Sequence, residues 1–132
     1  MKTQAQTAYT SNRFAKVIVL ILMTSIVYGQ ELAGEWHGAL TVQGNQIRMV
    51  FHVNKNDKDY AATMDSPDQG TNGITVTLTD FKYPKVKFEI ASLGAIYEGV
   101  MSDNRITGKW LQSGNALFLM LVRKEESQHN EK

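Results

Sequence analysis

From Gly34 to Arg123 apolar and polar residues alternate with a period of two, and turn-forming clusters interrupt the alternation about every ten residues. Successive side chains of an extended strand point to opposite faces, so this period commits the segment to strands with one buried face. The first run, Gly34 to Val42, sets Trp36, Gly38, Leu40 and Val42 against Glu35, His37 and Thr41. The second sets Ile47, Met49, Phe51 and Val53 inward and Arg48, His52 and Asn54 outward. A third runs from Tyr60 to about Ser66. A fourth alternates Ile74, Val76 and Leu78 with Thr75, Thr77 and Thr79, and a fifth sets Val86, Phe88 and Ile90 against lysines and Glu89. The spacing then predicts strands over Ala95–Ser102, Ile106–Gln112 and Ala116–Arg123.

The breaks carry turn chemistry: Gln43-Gly44-Asn45, Asn56 to Asp59, Asp103-Asn104-Arg105 and Ser113-Gly114-Asn115, with Pro67 to Gly73 as the longest loop. Short connections favour neighbours in sequence as neighbours in space. The expected fold is all-β, a single antiparallel up-and-down barrel of about eight strands, closed so that no edge is exposed.

Ahead of this pattern lies a different one. Residues 1–16 hold Lys2, Arg13 and Lys16 and no acidic residue, and they lead into the apolar run Val17 to Val27. A run of eleven residues is too short for a bilayer span of about 20 but suits the apolar region of a signal peptide. Val27-Tyr28-Gly29 supplies the small residue at a cleavage point. The sequence thus predicts a signal-peptide helix over 1–29, a barrel domain over 30–123 and a charged, disordered tail over 124–132. A secreted or periplasmic location follows, with no stable membrane span after cleavage.

Charge and composition narrow the function classes. The formal charge is +1, but cleavage removes three of the fourteen basic residues and none of the thirteen acidic ones, leaving a net charge near −2. No basic patch with interleaved aromatics remains, so nucleic acid is not an expected partner. The absence of cysteine excludes disulfide bracing, thiolate chemistry and lipid attachment at a cysteine.

An eight-stranded barrel is either packed with side chains or holds one small ligand. The inward positions are almost wholly apolar, and Trp36, Met49, Phe51, Met64, Phe88, Tyr97 and Trp110 are the candidate ligand-lining residues. With strands of only about seven residues, a filled interior is the favoured expectation. The last strand is apolar on both faces: Leu117, Leu119 and Leu121 on one, Phe118, Met120 and Val122 on the other. One face therefore meets solvent, and Phe118, Met120 and Val122 are the candidate partner surface.

Catalytic signals are weak, and no enzymatic activity is expected. No serine stands in a G-x-S-x-G elbow, and no glycine-rich phosphate loop occurs. His37 and His52 fall on outward positions of adjacent strands and could share a metal, but no carboxylate or cysteine is expected beside them to complete a site. No metal or cofactor is expected. Asn54 to Asp59 lacks the glycine and distal glutamate of a calcium loop. Asp65 and Asp68 could serve as an acid-base pair in a cleft, although Asx-turn roles at a strand exit account for them better.

The opening Leu32-Ala33-Gly34-Glu35-Trp36-His37-Gly38 resembles the G-x-W start of lipocalin and avidin-like barrels. There the tryptophan plugs one barrel end beneath a basic side chain of the last strand, which implies an end closure by Gly34, Trp36 and Arg123. A wider set is similar to the N-terminal β domain of secreted bacterial α/β-hydrolases of the serine aminopeptidase or esterase kind. It comprises Leu32-Ala33-Gly34-x-Trp36-x-Gly38, Arg48-Met49-Val50-Phe51-His52-Val53, Ala62 to Gly70, Leu93-Gly94-Ala95-x-Tyr97-Glu98-Gly99 and Ile106-x-Gly108-x-Trp110. In those proteins a catalytic domain follows, and its nucleophile, acid and histidine have no counterpart in this chain. The resemblance implies a noncatalytic accessory or interaction domain whose partner is a hydrolase or another envelope protein. The alternatives are a calycin-like carrier of a small hydrophobic ligand and the remnant of a truncated serine hydrolase.

Overall fold

A computed structural model describes residues 31–125. The expected signal peptide, and the expected tail beyond Glu125, lie outside the described residues. Nine strands form one antiparallel sheet: β1 (Gly34–Val42), β2 (Asn45–Asn56), β3 (Asp59–Ser66), β4 (Thr71–Val76), β5 (Leu78–Lys82), β6 (Lys85–Ile90), β7 (Ala95–Ser102), β8 (Arg105–Gln112) and β9 (Asn115–Arg123). Their order across the sheet is β4-β3-β2-β1-β9-β8-β7-β6-β5. Each strand pairs with its neighbour in sequence except at two places. β1 meets β9, with Trp36 opposite Arg123, and β4 and β5 stand at opposite ends of the order.

The second exception corrects the expected count of about eight strands. A single residue, Thr77, carries the chain from one sheet edge to the other. Its N–H donates to the Glu89 carbonyl at 2.7 Å, and its Oγ1 accepts from the Ala91 N–H at 3.0 Å. The segment read as one strand is thus two, the first half paired with β3 and the second with β6, and the sheet becomes a nearly closed barrel. The crossing also reverses parity. Val76 is buried, whereas Leu78, expected inward, is 43% exposed, and Phe81 packs on the core instead. Thr79, expected outward, lies opposite the buried Phe88, and its Oγ1 is buried with no hydrogen-bond partner among the described residues. The long loop expected over Pro67 to Gly73 is shorter, a 3-10 turn at Pro67–Gln69 followed directly by β4.

Two-residue turns set the register elsewhere. Gln43 and Gly44 both take positive φ, as do Ser113 and Gly114, which matches the twist of the flanking strands. The inward faces then close on a core of Trp36, Phe51, Met64, Phe88, Tyr97 and Trp110 with the aliphatics around them. At mid-height Phe51 and Phe88 stack at 4.8 Å between ring centroids, and Tyr97 lies 6.0 Å from Phe88. The Tyr97 hydroxyl donates to the Leu119 carbonyl at 2.8 Å, and burial pushes its pKa well above the ordinary phenol value. There is no room for a side chain at Gly108, where a Cβ would stand 2.2 Å from the Glu98 carbonyl.

Candidate functional site

The two ends of the barrel differ. At one end Trp36 is fully buried, and its indole N–H donates to the Leu32 carbonyl at 2.9 Å. The Arg123 guanidinium lies over that ring, 4.3 Å from its centre. It also donates to the carbonyls of Ala33 and Glu31 and to the Asn104 side chain. Gly34 makes room: at φ 137 it holds a conformation that side chains disfavour, and a Cβ there would sit 3.1 Å from Arg123. Gly34, Trp36 and Arg123 are thus brought together. Tyr60 and Phe81 pack edge to face beside them, and the Tyr60 hydroxyl donates to Glu31.

At the other end a cavity of about 350 Å³ opens among Leu40, Met49, Met64, Trp110 and Leu117, with Gln69 and Gln112 at its rim. Gln112 ties the Trp110 indole to the adjoining turn, accepting from Nε1 at 3.0 Å and donating to the Leu93 carbonyl at 2.9 Å. Of the candidate ligand-lining residues, Met49, Met64 and Trp110 face this mouth. Trp36, Phe51, Phe88 and Tyr97 are packed below it as solid core.

The rim is held by carboxylates. Asp65 accepts from the Gly73 N–H at 2.7 Å, and Asp68 accepts from the Arg48 N–H at 2.8 Å and from its guanidinium. These contacts hold both aspartates below the ordinary carboxylate value, Asp65 mainly through Gly73 and then His52, Asp68 through Arg48. Ser66 is buried and donates to Gln69 at 3.0 Å. The Asp65 to Gln69 stretch therefore braces a turn.

Two features lie on the outer surface. On β9 the inner face buries Leu119 and Leu121 completely, whereas Phe118, Met120 and Val122 are 65%, 38% and 40% exposed. Lys109, Thr107 and Arg105 of β8 stand directly opposite these three. Across β1, β2 and β3 runs a row of imidazoles and carboxylates. His37 Nε2 lies 2.6 Å from Glu35 Oε1, His52 Nδ1 lies 4.0 Å from Glu35 Oε2, and His52 Nε2 lies 2.7 Å from Asp65 Oδ2. Hydrogen bonding from His37 is the main cause that lowers the Glu35 pKa.

This row corrects the expectation that no carboxylate stands beside the two histidines. The signal was present: Glu35 shares the outward parity of His37, and the two-residue turn at Gln43-Gly44 places Glu35 directly opposite His52. Among the described residues, no group of three or more histidine, cysteine or carboxylate side chains is placed so that it could hold a metal ion. No family model matches the chain, and neither a curated protein nor a solved structure does.

Proposed function

We propose that this chain is a noncatalytic accessory module, exported by its N-terminal segment, that docks on a partner protein through the outer face of β9. The observation that carries this reading is the contrast along one strand. Leu119 and Leu121 are fully buried in the barrel, while Phe118, Met120 and Val122 form an apolar strip on the outside. Burying such a strip against a partner removes apolar surface from water, worth about 25 cal/mol per Å². The motifs quoted above make a secreted hydrolase the partner of first choice.

A photo-crosslinking residue at position 118, introduced into the full chain in cells that export it, tests the reading. Adducts to a hydrolase or another envelope protein support it. Adducts confined to a second copy of the chain, or none, overturn it.

A second reading, a carrier of a small hydrophobic ligand, is favoured by the mouth cavity alone. Its volume of about 350 Å³ falls at the lower end of the range for small-molecule pockets. Trp110 borders that cavity, so its fluorescence should respond saturably to a ligand that enters. A flat response across a panel of fatty and aromatic ligands removes this reading without touching the first.

A further inference from the structure

The outer face of β5 to β9 carries an inference that rests on the docking reading and names the chemistry of the partner. Outward side chains of neighbouring strands line up in rows across a sheet, and two such rows cross this face. The first runs Asp80, Lys87, Glu98, Lys109, Phe118, each directly opposite the next. Its charges alternate in sign, and Lys87 Nζ lies 3.3 Å from Glu89 Oε1 and 4.0 Å from Glu98 Oε1. That row neutralises itself.

The second row runs Lys82, Lys85, Val100, Thr107, Met120 in the same strand order and holds no carboxylate. Lys82 and Lys85 stand directly opposite one another, an arrangement that like charges disfavour. Among the described residues, the lysine ion pairs are those of Lys55, Lys87 and Lys124, so neither member of this pair is neutralised. Further along the row Val100 is 52% exposed, and Met120 belongs to the apolar strip of β9. A groove of about 660 Å³ lies over the β5 to β8 part of this face. Gly99 and Gly108, opposite each other, stand in its floor and present backbone alone, which lets another chain approach closely.

We propose that this groove receives an extended, acidic segment of the partner protein, with a carboxylate between Lys82 and Lys85 and apolar side chains over Val100 and the Met120 end of the β9 strip. The spacing fits such a segment. Residues i and i+2 of an extended chain share a face and lie about 7 Å apart, while neighbouring strands lie about 4.8 Å apart. From the middle of the lysine pair to Val100 on β7 is one and a half strand spacings, again about 7 Å. A carboxylate at i therefore brings i+2 over Val100, and i+4 comes between Thr107 and Met120. The selectivity is local, because the exported chain as a whole is slightly acidic. A membrane of anionic headgroups or an anionic polysaccharide repeats its charge at every unit and would meet the carboxylates of Asp80 and Glu98 in the first row, whereas a peptide can place neutral residues there.

The probe is the end-capped peptide Ser-Glu-Ser-Leu-Ser-Leu-Ser, titrated into the exported chain and read by backbone amide resonances. Saturable shifts are expected at Lys85, Val100 and Thr107. Replacing the peptide's glutamate by glutamine should weaken binding about two- to fivefold, and replacing it by lysine should abolish binding; both comparisons use the wild-type chain and stay valid if a variant folds poorly. K82Q and K85Q should each weaken binding about two- to fivefold, and K109Q, one row away, by less than either. Added salt should weaken the glutamate peptide more than the glutamine one. Absence of saturable shifts, equal binding of the glutamate and glutamine peptides, or a K109Q loss as large as that of K85Q would overturn the site. So would shifts of the same residues by phosphatidylglycerol vesicles or heparin at lower concentration than by the peptide, or by self-association of the chain alone. Crosslinking from position 118 to a partner, with no peptide shifts, removes this inference and leaves the docking reading standing. Peptide shifts without such crosslinks remove the docking reading and leave the groove as a site for acidic peptides.

Discussion

The two ends of the barrel solve the same problem with different chemistry. One end is shut by a buried tryptophan under an arginine whose hydrogen bonds go to backbone carbonyls and one asparagine. The other end is left as an apolar mouth, and its rim is tied by the aspartates at 65 and 68. The closed end couples packing to structure, since its groups have little room to relax. The mouth has spare volume beside its side chains, so it is the end at which the barrel tolerates change.

The largest effect that sharpens this contrast is expected from Trp36→Ala. The substitution removes a fully buried ring and uncovers the guanidinium stacked on it, at a cost of about 3–5 kcal/mol. Urea unfolding should show the midpoint falling steeply with little change in slope. A loss below about 1 kcal/mol would mean that the plug is not a structural element.

A matched pair on a single strand tests the two ends with identical chemistry. Leu121 is fully buried near the closed end, opposite Ile106, and Leu117 borders the mouth, opposite Trp110. Leu121→Ala should cost about 3 kcal/mol, because the surroundings cannot collapse onto the void. Leu117→Ala should cost about 1 kcal/mol, because the lost group already bordered open space. Equal costs in denaturant unfolding would break the comparison, since the mouth would then be packed as tightly as the plug.

How much of this was legible in the sequence depends on what kind of information each feature needs. The strands and the two-residue turns were legible because alternation and positive-φ residues are local signals, and Gln43-Gly44 alone fixes which residues of β1 and β2 face each other. The reversal at Thr77 was not. Leu78 is apolar and continues the pattern of Ile74 and Val76, and only the closure of the barrel, a contact with Glu89 twelve positions away, turns it outward. The association of Trp36 with Arg123 was implied only by the resemblance of the G-x-W start to lipocalin and avidin-like barrels, and the pairing of β1 with β9 is what brings the two together. The mouth cavity could not be read at all, because it is a difference between barrel width and side-chain volume, and no residue type encodes that difference. The imidazole and carboxylate row is legible only from register, because it depends on Glu35 lying opposite His52 across the Gln43-Gly44 turn, which parity within β1 alone does not show.

The smallest expected effect separates the ends by pH. Asp65 and Asp68 sit below their ordinary value of 3.8 in the folded chain. A carboxylate depressed in this way contributes stability that is fully present above its unfolded value and is lost as pH falls through the folded one. The rim should therefore be unchanged from neutral pH down to about 4, and should loosen progressively below 3.8. The closed end should not follow, because Arg123 remains a cation across this range and its acceptors are carbonyl and amide oxygens that do not titrate. Hydrogen exchange resolves the two sites within one molecule. After correction for intrinsic rates, the Gly73 and Arg48 amides, which donate to the two aspartates, should lose protection below this pH, while the Trp36 indole N–H should keep it. Asp65→Asn should remove the pH dependence at Gly73 and leave that at Arg48 in place. Simultaneous loss at all three protons would mean that acid unfolds the barrel as one unit, and that the rim is not an independent element of its stability.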